Sequence, residues 1–249
     1  MHELSGAVVI VTGAAQGIGE AIAHTLAHDG ARLFLADVQD ARLARVAEAI
    51  RETGAAVETT AVDIADPAQA DAMAGAALDA FGRIDALVNN AALDAPPGRA
   101  AEIDATHWRR VIDVDLSGAW WCTRAVLPAM RAQRRGRIVN ESSISARTAT
   151  PETSPAYSAA KAGLLGLTIS LSVQLEAEGI LVNAITPGAT GNTGTPVPED
   201  QRRLYEAVLP LGFGGPQPVA EAVRFLLAPS GDWISGAVLN VSGGALRGM

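Results

Sequence analysis

Thr12-Gly13-Ala14-Ala15-Gln16-Gly17-Ile18-Gly19-Glu20 is a glycine-rich stretch between a short apolar run, Ala7–Val11, and an alanine-rich segment. Glycines at such a junction allow a tight turn and a close approach of the backbone to a ligand. The start of the following helix offers unpaired N–H groups to a pyrophosphate. A strand, a glycine-rich turn and a helix in this order predict the first βαβ unit of a dinucleotide-binding sheet.

Apolar runs recur along the rest of the chain, separated by long alanine- and leucine-rich helical stretches. Strands that alternate with helices and are apolar on both faces imply a parallel sheet covered by helices on each side. We therefore predict an α/β fold with a doubly wound, seven-stranded parallel sheet in a single domain over residues 1–249. The predicted strands are Ala7–Val11, Leu33–Ala36, Val57–Val62, Ala86–Val88, Arg137–Asn140, Leu181–Ile185 and Val238–Val241.

The segment 188–215 breaks this pattern, because it is rich in Gly, Pro and Thr and contains one short helical piece, Glu199–Val208. A connection this long in a compact domain is usually a lid or a binding loop. We interpret it as a lid over a substrate site.

The composition bounds the class of protein. With 249 residues, 49% of them hydrophobic and 18% charged, the chain is typical of a folded globule. A net charge of −8 and no basic block beyond 131–137 argue against nucleic-acid binding. The single cysteine, Cys122, excludes an internal disulfide, and His24 and His28 lack a third ligand, so no metal site is predicted. Without a signal peptide or a run of ~18 apolar residues, we expect a cytoplasmic protein with no membrane partner.

Asp37 ends the second predicted strand, 18 residues after Gly19. A carboxylate here can accept hydrogen bonds from the adenosine ribose hydroxyls and repels a 2′-phosphate. No basic residue occupies Gln16 or Val38, so the sequence predicts NAD rather than NADP. The alternative is that Asp37 is an ordinary strand-end turn residue. The predicted cofactor contacts in the turn are Gly13, Gln16, Gly17, Ile18 and Gly19.

The chain contains 18 arginines but one lysine, Lys161, which follows Tyr157 by four residues. Residues i and i+4 share a helix face, so the ammonium can lie beside the phenol. A nearby positive charge favours the phenolate and lowers the tyrosine pKa from about 10 toward physiological pH, which makes the pair a general acid/base. The alternative is a solvated lysine that follows a half-buried tyrosine by chance.

Four segments in this order resemble the short-chain dehydrogenase/reductase family, and the likeness covers nearly the whole chain. The resemblance implies a Rossmann-type fold in a single domain, a small-molecule substrate and assembly as a homotetramer or dimer. The four segments are Thr12–Gly19, Asn89-Asn90-Ala91-Ala92, Tyr157–Lys161 and Asn183-Ala184-Ile185-Thr186-Pro187-Gly188.

The same resemblance implies further cofactor contacts. Tyr157 and Lys161 belong to both the catalytic and the cofactor-binding sets, since the lysine is expected on the nicotinamide ribose hydroxyls. The other matching positions are Asp63 and Ile64 at the adenine, Asn90 and Ala91 near the nicotinamide ribose, and Pro187, Gly188 and Thr190 at the nicotinamide carboxamide.

Two further catalytic residues follow from the resemblance. Ser143, rather than Ser142 or Ser145, matches the serine that holds the substrate oxygen, and it lies one residue farther from Tyr157 than the family spacing. Asp115 stands where the family generally has the asparagine of a proton relay. An aspartate keeps an acceptor oxygen but adds a negative charge, which would stabilise the ammonium of Lys161 and blunt its effect on the tyrosine.

The implied activity is NAD-dependent hydride transfer involving a secondary alcohol, a sugar or a cyclic polyol, with Tyr157 as the acid/base. One alternative is a 3-oxoacyl-thioester reductase, against which Asp37 weighs because those enzymes commonly prefer NADP. Another is a non-catalytic dinucleotide sensor, which would have no need for Ser143, Tyr157 and Lys161 together.

Overall fold

The computed structural model describes residues 3–93, 98–191, 193 and 197–247. Its seven strands are β1 (Val8–Thr12), β2 (Arg32–Asp37), β3 (Val57–Ala61), β4 (Ala86–Asn89), β5 (Gly136–Glu141), β6 (Ile180–Pro187) and β7 (Val238–Val241). All pair in parallel, in the order β3-β2-β1-β4-β5-β6-β7. The predicted α/β fold is confirmed, and each predicted strand agrees with an observed one to within two residues at either end.

Helices cover both faces of the sheet. In the described part of the chain they are α1 (Gly17–His28), α2 (Asp40–Arg51), α3 (Pro67–Phe81), α4 (Ala105–Ile112), α5 (Ala119–Gln133), α6 (Pro155–Leu175), α7 (Glu199–Val208) and α8 (Gln217–Leu227). One buried apolar cluster joins α1, α2 and α8 to the sheet, and a second joins α3, α5 and α6 to the opposite face. The sheet order reverses between β1 and β4, where open α/β sheets bind ligands at the carboxyl ends of their strands.

The helical stretch 105–133 is not a uniform α-helix. Asp113–Gly118 forms a π-helical turn between α4 and α5. Such turns insert one extra residue into a helix and occur often at functional sites. Asp115 lies in this turn and is 1% exposed. The turn therefore delivers a carboxyl group to the interior.

One helical stretch, Pro155–Glu178, reaches a mean hydropathy of 1.2 and is long and apolar enough to cross a membrane by length and composition. It contains Lys161, Gln174 and several hydroxyl side chains, so it is not a continuous run of ~18 apolar residues, and the described part of the chain has no clear membrane span. Core helices of soluble proteins pass the same test, and here α6 packs against β6 and carries Tyr157 and Lys161.

The predicted lid, 188–215, lies partly outside the described residues, which omit 192 and 194–196. Its two ends are joined, because Thr190 pairs with Gly214 and the Gly191 N–H donates to the Gly214 carbonyl at 2.9 Å. A Cβ added to Gly17 would lie 2.7 Å from the backbone of Thr193. The lid backbone therefore lies directly against the glycine-rich turn.

Candidate active site

Tyr157 and Lys161 lie one turn apart on α6, as their spacing predicts. The Nζ of Lys161 is 5.5 Å from the centre of the Tyr157 ring. Tyr157 is 9% exposed and Lys161 is 3% exposed. The lysine is therefore not a solvated surface residue, and its ammonium is held inside the protein beside the phenol.

The pKa of Tyr157 differs from the sequence expectation. Burial raises it above the ordinary value, while the Lys161 ammonium and a hydrogen bond with Ser143 lower it. The carboxyls of Asp115 and Glu141 raise it further. The net direction is upward, because removing a phenolate from water outweighs one nearby positive charge. The prediction that the pKa of Tyr157 falls toward neutrality was therefore wrong. The predicted direction of the Lys161 contribution, which lowers this pKa, was right.

The two adjacent serines have different partners. Ser143 follows β5 and its Oγ accepts the Ser145 N–H at 3.1 Å. It also lowers the pKa of Tyr157 through side-chain hydrogen bonding. The Oγ of Ser142 instead donates to the Lys161 carbonyl at 2.7 Å. Of the two, Ser143 acts on the pKa of the phenol, whereas Ser142 anchors the backbone of α6.

Asp115 faces the same cluster from the π-helical turn. Its Oδ1 accepts the Leu93 N–H at 2.8 Å, while its Oδ2 is buried with no hydrogen-bond partner among the described residues. Burial raises the pKa of Asp115, and the Lys161 ammonium opposes that rise. The negative charge expected from the sequence does act on Tyr157, since Asp115 raises the pKa of the phenol.

Glu141, the last residue of β5, was not singled out by the sequence analysis. Its backbone carbonyl accepts a hydrogen bond from the Lys161 Nζ at 3.0 Å. Its side chain is buried, and burial raises its pKa to about 8 against the opposing effect of Lys161. A glutamate that ends a buried strand two residues before the proposed catalytic serine is the signal that could have drawn attention to it.

The glycine-rich turn is built around Thr12. The Oγ1 of Thr12 accepts the N–H groups of Asn90 and Ala91, both at 3.1 Å. The Asn90 side chain donates to the carbonyls of Thr12 and Gly13, both at 2.9 Å. Asn90 and Ala91 thus brace the turn against the end of β4.

The glycines of the turn lie where a side chain would not fit. Gly13 and Gly17 have φ values of 66° and 62°, which favour glycine. A Cβ on Gly19 would overlap the Gly13 carbonyl oxygen. Gln16 makes no side-chain cap at the start of α1, which leaves the first N–H groups of that helix for an anion. Ile18 packs against the apolar core on the α1 face. These residues fit a dinucleotide pyrophosphate.

Asp37 is 8% exposed at the end of β2, beside the turn. Its two carboxylate oxygens accept the N–H groups of Ala15 at 3.0 Å and Gln39 at 2.9 Å. A carboxylate offers about four acceptor positions, so both oxygens can still accept ribose hydroxyls. A basic residue that the sequence analysis did not consider also lies at this turn. It is Arg42 on α2, which donates to the Gln16 side chain.

Asp63 and Ile64 follow β3 at the same edge. Asp63 accepts the Ala65 N–H at 3.0 Å, and its other oxygen lies 3.5 Å from an Arg110 guanidinium nitrogen. Ile64 is 5% exposed and packs in the core cluster on the α3 face. Any contribution of Ile64 to a cofactor site would therefore come from its backbone.

Pro187, Gly188 and Thr190 lead from β6 into the lid. The Gly188 N–H donates to the Val241 carbonyl at 3.0 Å, and a Cβ on Gly188 would lie 2.8 Å from the Cα of Ser242. The Oγ1 of Thr190 donates to the Gly188 carbonyl at 3.1 Å. The segment is thus fixed close to β7 at the edge that carries the glycine turn.

Comparisons with known proteins identify the family. A family model described as enoyl-(acyl carrier protein) reductase matches residues 13–245. Cis-4-hydroxycyclohexanecarboxylate dehydrogenase from Sinomonas cyclohexanicum is 40% identical over 95% of this chain and 95% of its own. The chain belongs to the short-chain dehydrogenase/reductase family. Its members use nicotinamide cofactors, so the chain is an oxidoreductase of that family.

Two further family members cover almost the whole chain. The 3-oxoacyl-[acyl-carrier-protein] reductase from Synechocystis is 36% identical over 98% of both chains. The crystal structure of levodione reductase superimposes with a TM-score of 0.90 at 33% identity, covering 97% of this chain and 98% of its own. The expected family and its Rossmann-type fold are thus confirmed.

Within this short-chain dehydrogenase/reductase site, one ammonium faces two buried carboxyl groups. The sequence analysis identified Asp115 through its departure from the family asparagine, but passed over Glu141. Arg42 was also missed, since it lies 26 residues from Gln16 in the chain. Both omissions concern contacts between residues that are far apart in the sequence and meet only in the folded chain.

Proposed function

We propose that the protein is an NAD-dependent dehydrogenase that interconverts a secondary alcohol and its ketone, with Tyr157 as general acid/base. The observation that carries the proposal is that Ser143 and Lys161 both act on the phenol of Tyr157. This cluster follows the carboxyl end of β5, in the sheet whose edge also carries the glycine turn and Asp37.

Each protein group has a defined task. The Ser143 hydroxyl holds the substrate oxygen and stabilises charge that develops on it. The Tyr157 phenol gives its proton to the carbonyl oxygen in reduction and takes it back in oxidation. Lys161 stabilises the phenolate and reaches the ribose hydroxyls. When bound, the nicotinamide supplies or accepts the hydride.

The direction of the Tyr157 pKa shift predicts the pH dependence. Because this pKa is raised, the phenol carries its proton at neutral pH and is ready to donate it. We therefore expect ketone reduction to proceed at neutral pH and alcohol oxidation to accelerate as the pH rises.

A cyclic alcohol is the substrate class that we favour. The support is the 40% identity to a relative whose name describes oxidation of a hydroxyl group on a cyclohexane ring. NAD is favoured by the Asp37 carboxylate, whose charge would repel a 2′-phosphate.

A 3-oxoacyl-thioester reductase is the second candidate, supported by the 36% identity to the Synechocystis enzyme. It would use a different substrate, and NADPH more often than NADH. Asp37 opposes this candidate, whereas the Arg42 guanidinium, which donates to the Gln16 side chain in the turn, favours a cofactor with a 2′-phosphate.

We also propose that the protein is a cytoplasmic homo-oligomer, a dimer or a tetramer. The support is a group of large apolar side chains left exposed on the single chain, which include Ile169 and Val173 on α6, Phe225 on α8, and Trp233. Light scattering coupled to size-exclusion chromatography tests the assembly, and a monomer would contradict it.

NADH absorbance tests the activity. Purified protein is assayed with NAD and with NADP at about pH 7 and about pH 9, against cyclic alcohols, sugars, polyols and hydroxyacyl thioesters. We expect reduction of NAD by a cyclic alcohol, faster at the higher pH. Tyr157→Phe should lower turnover by about 100-fold or more while the protein remains folded. Turnover with hydroxyacyl thioesters and NADP alone would favour the second candidate, and NAD binding without turnover would favour a sensor.

A further inference from the structure

Glu141 is a buried carboxyl group to which the proposed chemistry assigns no task. It ends β5 opposite Ile185 of β6 and is 8% exposed. Its Oε2 is enclosed and has no hydrogen-bond partner among the described residues. An ionised carboxylate without partners is costly to bury, so such a group tends to keep its proton.

The backbone around Glu141 fixes this carboxyl group beside the acid/base pair. The Lys161 Nζ donates to the Glu141 carbonyl at 3.0 Å, and the next residue, Ser142, donates to the Lys161 carbonyl at 2.7 Å. Two hydrogen bonds therefore tie the end of β5 to α6. The backbone of Glu141 is thus fixed beside the ammonium, and its buried side chain starts from that position.

Counting charges shows why one carboxyl group should be neutral. Lys161 is the one charged group that acts on either Asp115 or Glu141 in the described part of the chain. Two carboxylates and one ammonium would leave a buried net negative charge beside the phenol. Asp115 has a hydrogen bond from the Leu93 N–H that favours its charged form, whereas the Oε2 of Glu141 has none. Glu141 is therefore the better holder of the remaining proton.

We propose that Glu141 is a positioning residue that keeps a proton while Tyr157 works, and that release of this proton to solvent suppresses formation of the phenolate. The inference rests on the proposed role of Tyr157. No bond to the substrate is formed or broken by Glu141. Its only reaction is the exchange of one proton with bulk water.

The pH range follows from the direction of each shift. Burial raises the pKa of Glu141 to about 8, so the side chain is neutral below that pH and negative above it. The negative form raises the pKa of Tyr157. The groups that set this balance are Lys161 and Tyr157 on α6 and Asp115 on the π-helical turn. A rise in pH favours the phenolate of Tyr157 directly. It also ionises Glu141, and the new negative charge opposes formation of that phenolate.

A spectroscopic titration tests the inference without substrate or turnover. The chain has two tyrosines, so in a Tyr205→Phe background the ultraviolet absorbance of tyrosinate reports on Tyr157 alone. We expect Glu141→Gln, which mimics the protonated acid, to lower the tyrosinate midpoint by about one pH unit. Glu58→Gln, an exposed glutamate on β3, is the matched control and should leave the midpoint unchanged.

An unchanged or raised midpoint in the folded Glu141→Gln protein would overturn the proposal. If the variant does not fold, infrared difference spectroscopy on the unaltered chain decides. We expect a protonated-carboxyl band that is lost as the pH rises through about 8. The same band should be present in Asp115→Asn, which would assign it to Glu141. The absence of any such band at about pH 6 would refute a proton on Glu141.

Activity provides an independent arm. In Glu141→Gln the ratio of alcohol oxidation at about pH 9.5 to that at about pH 7 should rise several-fold, and an unchanged ratio would contradict the proposal. A shifted tyrosinate titration in a protein that oxidises no alcohol would contradict the proposed function, while it would support the coupling of Glu141 to Tyr157.

Discussion

The Nζ of Lys161 lies 5.5 Å from the centre of the Tyr157 ring, and both side chains are almost completely buried. Proximity alone would lower the tyrosine pKa, but burial removes the phenolate from water and two carboxyl groups add negative charge nearby. The lysine therefore limits a shift that burial dominates. This balance makes the charge on each neighbour of Tyr157 a determinant of activity.

Replacing Lys161 with arginine should abolish most of the activity. The ammonium occupies a site that is 3% exposed and donates to one backbone carbonyl, that of Glu141. A guanidinium is wider and planar, so it would crowd this site and cost about 1–3 kcal/mol of folding free energy. We expect turnover to fall by about 100-fold or more and the melting temperature to fall with it. Steady-state kinetics and calorimetry measure both, with Arg45→Lys on the exposed face of α2 as the control. Wild-type turnover in Lys161→Arg would contradict the role of the ammonium.

Replacing Asp115 with asparagine should move the pH dependence of oxidation to lower pH. The Asp115 carboxyl raises the pKa of Tyr157, and asparagine removes that charge while keeping an oxygen for the Leu93 N–H. The alkaline limb of the rate profile, which reports formation of the phenolate, should therefore begin at a lower pH. Profiles of kcat/KM against pH measure the change. Asp113→Asn, which alters an exposed carboxylate in the same turn, should give the wild-type profile. Superimposable profiles for Asp115→Asn and the wild type would refute the prediction.

Replacing Asp37 with asparagine should weaken the preference for NAD. The carboxylate repels a 2′-phosphate, and its removal leaves the Arg42 guanidinium beside Gln16 to attract one. We expect the ratio of kcat/KM for NAD to that for NADP to fall by about 10-fold, which corresponds to about 1.4 kcal/mol of differential binding.

A double variant separates the two charges at this site. If Arg42 binds the 2′-phosphate, the rise in kcat/KM for NADP seen in Asp37→Asn should disappear when Arg42→Ala is added. The fall in kcat/KM for NAD should remain in the double variant. An equal rise in kcat/KM for NADP in the single and the double variant would show that Arg42 does not contribute to NADP binding.

Replacing Gly19 with alanine should destabilise the fold as well as the cofactor site. The added Cβ would overlap the Gly13 carbonyl, which belongs to backbone held by Asn90. Overpacking of this kind costs about 1–3 kcal/mol, so urea unfolding without cofactor should show a lower free energy of unfolding. Gly75→Ala is the matched control, because that helical position has open space and alanine should stabilise α3 by about 0.5–1 kcal/mol. Equal stability of the Gly19→Ala protein and the wild type would contradict the packing role of Gly19.

Local patterns predicted the architecture well. The seven strands were recognisable because buried parallel strands are continuous apolar runs, and α7 was recognisable from the short helical pattern at Glu199–Val208. The π-helical turn at Asp113–Gly118 was not predicted, since its extra residue leaves no distinct mark on an otherwise helical sequence.

The sequence by itself determined the order of strands and helices, the glycine turn beside Asp37 and the placement of Tyr157 and Lys161 on one helix face, because each depends on residues close together in the chain. Only the tertiary structure decided that Glu141 and Asp115 share the ammonium of Lys161, that Arg42 reaches Gln16, and that the pKa of Tyr157 rises. Those outcomes depend on how deeply each charge is buried and on which distant elements meet it. Both are properties of the packed chain, because the cost of removing a charge from water is set by everything that surrounds it.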